Sequence, residues 1–190
     1  MKTALFFVLL AGLLAISACQ PATTNRPTDS PTLPPKGSIP MFPLTSPSFK
    51  ASESIPAVYT CAGRGISPEL AWSGAPADTQ SFALIMDDPD APSGTFVHWV
   101  LYNIPASSAG LTENAGADAQ PADGSLQGKN SAGKAGYVGP CPPSGTHHYH
   151  FKLYALDTKL GQMSMNKDAL LKAMQDHILA QGELIATFKK

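Results

Sequence analysis

Asp87–Ile104 reads DDPDAPSGTFVHWVLYNI, and the way its two flanks extend decides how the rest of the chain is arranged. Upstream, Ser81 to Asp88 sets Phe82, Leu84, Met86 and Asp88 on one side of an extended backbone and Ala83, Ile85 and Asp87 on the other, because strand side chains alternate with period two. Asp88 thereby continues a core-facing row. Downstream, Phe96 to Ile104 is apolar on both faces, with His98, Val100, Tyr102 and Ile104 on one and Val97, Trp99, Leu101 and Asn103 on the other. That is the pattern of a central strand covered on both sides, and it buries His98 whichever face meets the core. Pro89 and Pro92 lack a backbone donor and hold their φ angles, so the link between the two strands is a stiff turn. Such a turn keeps its carboxylates in place.

A second chemistry-bearing stretch lies further along, Gly139-Pro140-Cys141-Pro142-Pro143-Ser144-Gly145-Thr146-His147-His148-Tyr149-His150. The strand it opens places His147, Tyr149, Phe151, Leu153 and Ala155 inward and His148, His150, Lys152 and Tyr154 outward. His147 and Tyr149 then stand at the mouth of a core row, as Asp88 does on its own strand. Buried polar groups require partners, so these three are expected to find one another or a ligand.

Elsewhere Phe49–Ser52, Ala57–Thr60 and Leu70–Ser73 are candidate short strands, with Cys61 to Pro68 a loop. Short strands punctuated by Gly and Pro, in a chain with 18 prolines, predict a mainly-β fold, an antiparallel β-sandwich, rather than βαβ units. Pro105 to Gly139 is a long connection of small polar residues, of a kind that is often functional. Near the end, Asn166 is a good N-cap, and Leu170, Leu171, Met174, Ile178 and Leu179 form a stripe at helical spacing. Together they predict a C-terminal helix to Gln181, stopped by Gly182, and then an edge strand Glu183–Lys189 with its lysines outward.

The chain begins differently. One lysine, an apolar run from Ala4 to Ile16 and small residues up to Cys19 have the layout of a secretory signal, and the run is shorter than the roughly 20 residues of a membrane span. Ile16-Ser17-Ala18-Cys19 resembles a bacterial lipobox, in which the cysteine is lipidated and becomes the first residue. Gln20 after it, rather than Asp, resembles the outer-membrane sorting pattern. The expected organisation is a signal peptide over 1–18, lipidated Cys19 with a Pro/Thr/Ser-rich tether over 19–38, and one domain over 39–190. A lipid-anchored protein of the cell envelope, on the outer membrane facing the periplasm in a Gram-negative host, follows from that layout.

DPDAP, VHW, GPCPPSG and HHY, occurring in this order and flanked by TCAGRGISPEL and GELIATFKK, resemble the phosphatidylethanolamine-binding protein family. That family includes the Raf kinase inhibitor proteins, and the likeness is greatest to its bacterial Raf-kinase-inhibitor-like branch. It implies a β-sandwich with a C-terminal helix and a small anion pocket for phosphate-like groups. Transferred by position, the pocket residues are Asp88 and, nearby, Asp90; His98; Pro143; and His147 with Tyr149. The chain departs from the pattern in a short loop between Pro143 and His147, and in His148 where many relatives have Arg.

The chemistry of such a pocket can be argued separately. A carboxylate repels an anion, so Asp88 holds histidines in position rather than touching the ligand. Protonated His98 and His147, the Tyr149 hydroxyl and backbone donors of the glycine-containing loop supply the attraction. The same residues also fit blander roles: Asp88 a strand-end cap, His98 a hydrogen-bonded core histidine, Tyr149 plain core. Outward-facing His148 and His150 lack the third protein ligand of a zinc site, and neither metal nor cofactor is expected. Ser93 and Ser144 lie on loops, but no G-x-S-x-G elbow accompanies them, so hydrolysis ranks third as a function. Net charge −1 without a basic cluster argues against nucleic acid. With Cys19 lipidated, Cys61 and Cys141 remain, an even pair in an oxidising compartment; if bridged, they tie the GPCPP loop to the TCAGRG loop. The leading expectation is a non-catalytic binder of a small anionic or phosphorylated ligand, phospholipid head-group-like. The runner-up is a protein-interaction or inhibitor module, directed at proteases or kinases.

Overall fold

The computed structural model describes residues 39–118, 121–161 and 164–190, so the signal peptide, Cys19 and tether expected over 1–38 lie outside the described residues. The strands run in the order β1 Leu44–Thr45, β2 Leu70–Trp72, β3 Ser81–Asp88, β4 Phe96–Pro105, β5 Gly110–Leu111, β6 Leu126–Gln127, β7 Thr146–Leu156 and β8 Ile178–Lys189, with helix α1 at Lys167–Met174 between the last two. They form a three-stranded sheet β1-β2-β5 and a five-stranded sheet β6-β4-β3-β7-β8, antiparallel throughout. The fold is the expected mainly-β sandwich with one short helix.

Its layering follows from the central strands. All eight residues of β3 are buried, because Phe82, Leu84 and Met86 pack with Leu44, Leu70, Trp72 and Leu111 of the small sheet, while Ala83 and Ile85 pack beneath Leu170 and Met174 of α1. The five-stranded sheet is thus covered on both faces, which is why its central strands carry almost no exposed polar residue.

Strict alternation fails on β4 for a definite reason. Met86 pairs with Trp99 and Asp87 with Val97, which leaves His98 as an extra residue; Phe82 pairs with Ile104 and Leu84 with Leu101, which leaves another at Tyr102–Asn103. These are β-bulges, each of which resets the facing of the residues beyond it. Asn103 occupies the left-handed region at φ 56°, stabilised by two side-chain bonds of 2.8 Å to the backbone of Leu160. Val100 and Tyr102 therefore face α1, whereas Ile104 faces the sandwich interior, and the ring of His98 lies 5.2 Å from that of interior Tyr149. The expected single row His98, Val100, Tyr102, Ile104 is divided between the two faces.

Three other expectations are corrected. Phe49–Ser52 is a turn, with Ser52 at φ 66° and the Lys50 amide donating to Glu53. Ala57–Tyr59 is a 3-10 turn entered from Pro56. The helix is capped by Asn166 as expected, its side chain accepting the Ala169 amide at 3.0 Å, but it ends at Met174. Asp176 at φ 66° reverses the chain, and Ile178, Leu179 and Gly182 belong to β8. Gly182 is needed there because a Cβ would lie 2.8 Å from the Phe42 carbonyl oxygen. β8 is an edge strand, and Met41 and Ser54 form isolated bridges to its residues Gln181 and Thr187.

Asp87, 2 % exposed, points to the α1 side and is held by the ammonium groups of Lys152 and Lys167. Its neighbour Asp88 turns to the opposite face. Adjacent carboxylates on one strand consequently serve two purposes, one tying α1 to the sheet and β3 to β7, and the other building a cleft.

Candidate functional site

Antiparallel neighbours bring opposite chain ends together. The end of β3 and the starts of β4 and β7 share one rim of the large sheet, and so Asp88, His98 and His147 meet there although they span 60 positions of sequence. They line a cleft of about 190 Å³ whose remaining wall is Ala91, Pro92, Phe96, Val138, Gly139, Cys141, Pro142 and Pro143. A larger groove of about 420 Å³ runs past the start of α1; of its two lysines, Lys167 is committed to Asp87 and Lys129 is exposed. Buried ionisable groups converge only in the smaller cleft among the described residues' pockets, which makes it the stronger candidate.

Each cleft side chain has a determined orientation. Asp88 accepts the Asp90 amide on Oδ1 at 2.9 Å and Nδ1 of His147 on Oδ2 at 2.8 Å, and the two side chains are 5 % and 8 % exposed. The carboxylate thus fixes the imidazole, as a carboxylate does behind many functional histidines. His98 donates its Nδ1–H to the Val138 carbonyl at 2.7 Å, while its ring packs against Phe96 at 4.8 Å and Tyr149 at 5.2 Å. In both rings Nε2 is the polar atom left over for the cleft.

Burial pushes the His98 pKa below its ordinary 6.5, the Val138 hydrogen bond and the Asp88 charge opposing that shift without reversing it. Without a ligand, the folded protein near neutral pH therefore holds His98 as the neutral ring. Because its folded pKa is depressed, the folded state binds fewer protons than the unfolded chain just below 6.5. The corresponding stability is complete above 6.5 and is lost as pH falls through the folded value. His98→Gln, which retains a donor for Val138, is expected to lose less stability than wild type between pH 7.5 and 5.5 in urea unfolding. Parallel pH profiles would remove His98 as the cause.

Two other expected pocket residues are placed differently. Asp90 does not line the cleft; it accepts both the amide of His148 at 2.8 Å and its Nδ1 at 2.7 Å on the exposed side of β7. That pairing with His148 lowers its pKa. Tyr149 is fully buried beside His98, is not part of the cleft wall, and its hydroxyl has no partner among the described residues. Burial, with the nearby Asp88 and Asp90 charges, raises its pKa. Pro143 lines the cleft as expected. Phe96, Val138 and the Ala91-Pro92 corner are wall residues that sequence reasoning missed, and the only signal for Val138 was its position just ahead of the GPCPP loop.

Cys61 and Cys141 form a disulfide, Cα–Cα 5.4 Å, across a separation of 80 residues. Hydrogen bonds run beside it, from the Cys61 amide to the Pro140 carbonyl at 3.0 Å and from the Tyr137 hydroxyl to the Tyr59 carbonyl at 2.8 Å. Gly139 permits the approach, since a Cβ there would lie 3.0 Å from the Tyr59 carbonyl oxygen. The wall segment 138–143 is therefore anchored from behind.

These features define a class: a two-sheet β-sandwich with two histidines, one braced by an aspartate and one by a backbone carbonyl, in a proline-rimmed cleft at one rim. Residues 45–189 match the sequence model of the phosphatidylethanolamine-binding protein family, and the chain belongs to that family. A UPF0098 protein of Methanothermobacter thermautotrophicus is 48 % identical over 148 residues, covering 77 % of this chain and 98 % of that protein. One from Aquifex aeolicus is 47 % identical over 150 residues, covering 76 % and 86 %. Among solved structures, the phosphatidylethanolamine-binding protein homolog CT736 of Chlamydia trachomatis superposes with TM-score 0.73 at 40 % identity, covering 79 % of this chain and 98 % of that one. E. coli YbcL, described as a member of the mammalian family, superposes with TM-score 0.72 at 35 % identity, covering 78 % and 98 %.

Proposed function

We propose that this protein binds a small anionic or phosphorylated ligand, phospholipid head-group-like, in the Asp88–His98–His147 cleft, and that it does so without catalysis. One observation carries the reading: two imidazoles are held by their Nδ1 atoms, so that a carboxylate and a carbonyl supply the bracing and both Nε2 atoms are left for a guest. The bracing is compatible with charging each ring when an anion arrives. Against hydrolysis, Ser93 and Ser144 are exposed, and neither hydroxyl hydrogen-bonds either ring. The proposed setting is the bacterial cell envelope, with Cys19 lipidated as membrane anchor and residues 19–38 as tether, on the outer membrane facing the periplasm in a Gram-negative host.

Calorimetric titration with phosphoethanolamine at pH 5.5 and pH 8 tests the binding. His98 starts below 6.5 and an anion raises it, so affinity is expected to rise as pH falls through that window. Equal affinity at the two pH values, or no binding at either, would count against the reading.

A further inference from the structure

Pro140, Pro142 and Pro143 occupy three of the five positions of the wall stretch 139–143, and a proline has no N–H to donate. Prolines stiffen such a stretch but cannot fasten it to its surroundings. Among the described residues its one backbone hydrogen bond is that of the Cys61 amide to the Pro140 carbonyl, at 3.0 Å. The covalent fastening is the disulfide, whose Cys141 end stands in the cleft wall. Immediately upstream, Val138 is joined to His98 twice, its amide donating to the His98 carbonyl at 2.9 Å and its carbonyl receiving the ring Nδ1–H at 2.7 Å. One short run therefore carries the proline wall, the disulfide and the brace of a cleft histidine. Cys61 and Cys141 are both exposed residues, so a thiolate from solvent has access to the bridge, as it does to disulfides that are labile or regulatory.

Resting on the reading of this cleft as a binding site, we infer that the Cys61–Cys141 disulfide is a redox switch of the cleft: the oxidised form holds the ligand, and reduction by a dithiol partner frees the wall and releases it. A thiolate of the dithiol attacks one sulfur of the bridge, the other leaves as a cysteine thiolate, and the second thiol of the reductant resolves the mixed disulfide. Two electrons and two protons pass to the protein, which gains two cysteine thiols, and the reductant leaves as its own disulfide. His98 and His147 stay on β4 and β7, whose ladders to β3 and β8 do not depend on the bridge, so the loss falls on the wall. Linkage makes the effect reciprocal: the ligand favours the disulfide over the dithiol by the same factor by which the disulfide favours the ligand.

The test uses the full-length protein in non-ionic detergent at pH 7.5, with phosphoethanolamine as the probe. Calorimetry compares the oxidised protein with the dithiothreitol-reduced one, at a temperature where their circular dichroism agrees. The reduced form is expected to bind at least about fivefold more weakly, the lower end for coupled sites. Equilibration against graded ratios of reduced to oxidised dithiothreitol, with thiols counted by alkylation and mass spectrometry, is expected to need a more reducing ratio when the probe is present, by that same factor. The double change Cys61→Ala and Cys141→Ala should match the reduced form and ignore reductant; where it fails to fold, the equilibration of the unaltered protein decides. Equal affinity of the two forms, a ratio unmoved by the probe, or a bridge that dithiothreitol cannot open in the folded protein overturns the switch while leaving the anion-site reading in place. No binding by the oxidised form overturns that reading and this inference with it.

Discussion

Removing the Cys61–Cys141 bridge, by reductant or by the double change Cys61→Ala and Cys141→Ala, is expected to lower the melting temperature by roughly 10 °C. The disulfide spans 80 residues, and in the chain-entropy model a cross-link of that span restrains the unfolded chain by about 4 kcal/mol. In a domain of this size each kcal/mol is worth about 2–4 °C. The fold should survive, because the Cys61–Pro140 and Tyr137–Tyr59 hydrogen bonds hold the same loops together. Circular dichroism melts with and without reductant check this. A midpoint unmoved by reduction, with alkylation proving that the thiols are free, would show that the loops are already restrained without the bridge. The cleft should loosen along with the fold, since Cys141 is part of its wall.

His147→Ala should have the largest effect on binding, a loss of roughly 10- to 100-fold in phosphoethanolamine affinity, the equivalent of one charge-assisted hydrogen bond. The same change strips Oδ2 of Asp88 of its partner at a site 5 % exposed, and an unsatisfied buried acceptor costs about 1–3 kcal/mol. Affinity measured at a temperature where the variant's dichroism matches wild type separates the two consequences. Wild-type affinity in the folded variant would take His147 out of the site. His148→Ala is the control: its ring is 54 % exposed and pairs with Asp90 outside the cleft, so affinity should not change.

The alternation of β3 and β7 was legible because each keeps period two as far as the rim. Asp88 and His147 could be assigned to inward rows from spacing alone, and the structure places them 2.8 Å apart. β4 was less legible. Its residues are apolar on both faces, so the pattern contains nothing to reveal that bulges at His98 and Asn103 divide the row in two. Asp90 was misplaced because its distance from Asp88 in sequence says nothing about the exposed amide and imidazole of His148 that claim it. The helix was overextended because Ile178 and Leu179 continue a helical stripe, while the reversal that ends it sits on Asp176, whose tolerance of the left-handed region is a weaker stop signal than a glycine or proline.

The sequence by itself determined the class of fold, the three side chains at the rim and the family, because hydrophobic period and short motifs are local properties that any folded state must respect. Tertiary structure alone decided which face His98 takes, that Val138 holds it, and that the uncharged ring is the resting form. Those outcomes depend on strand register and on desolvation, and both arise only when segments far apart in the chain are packed against each other.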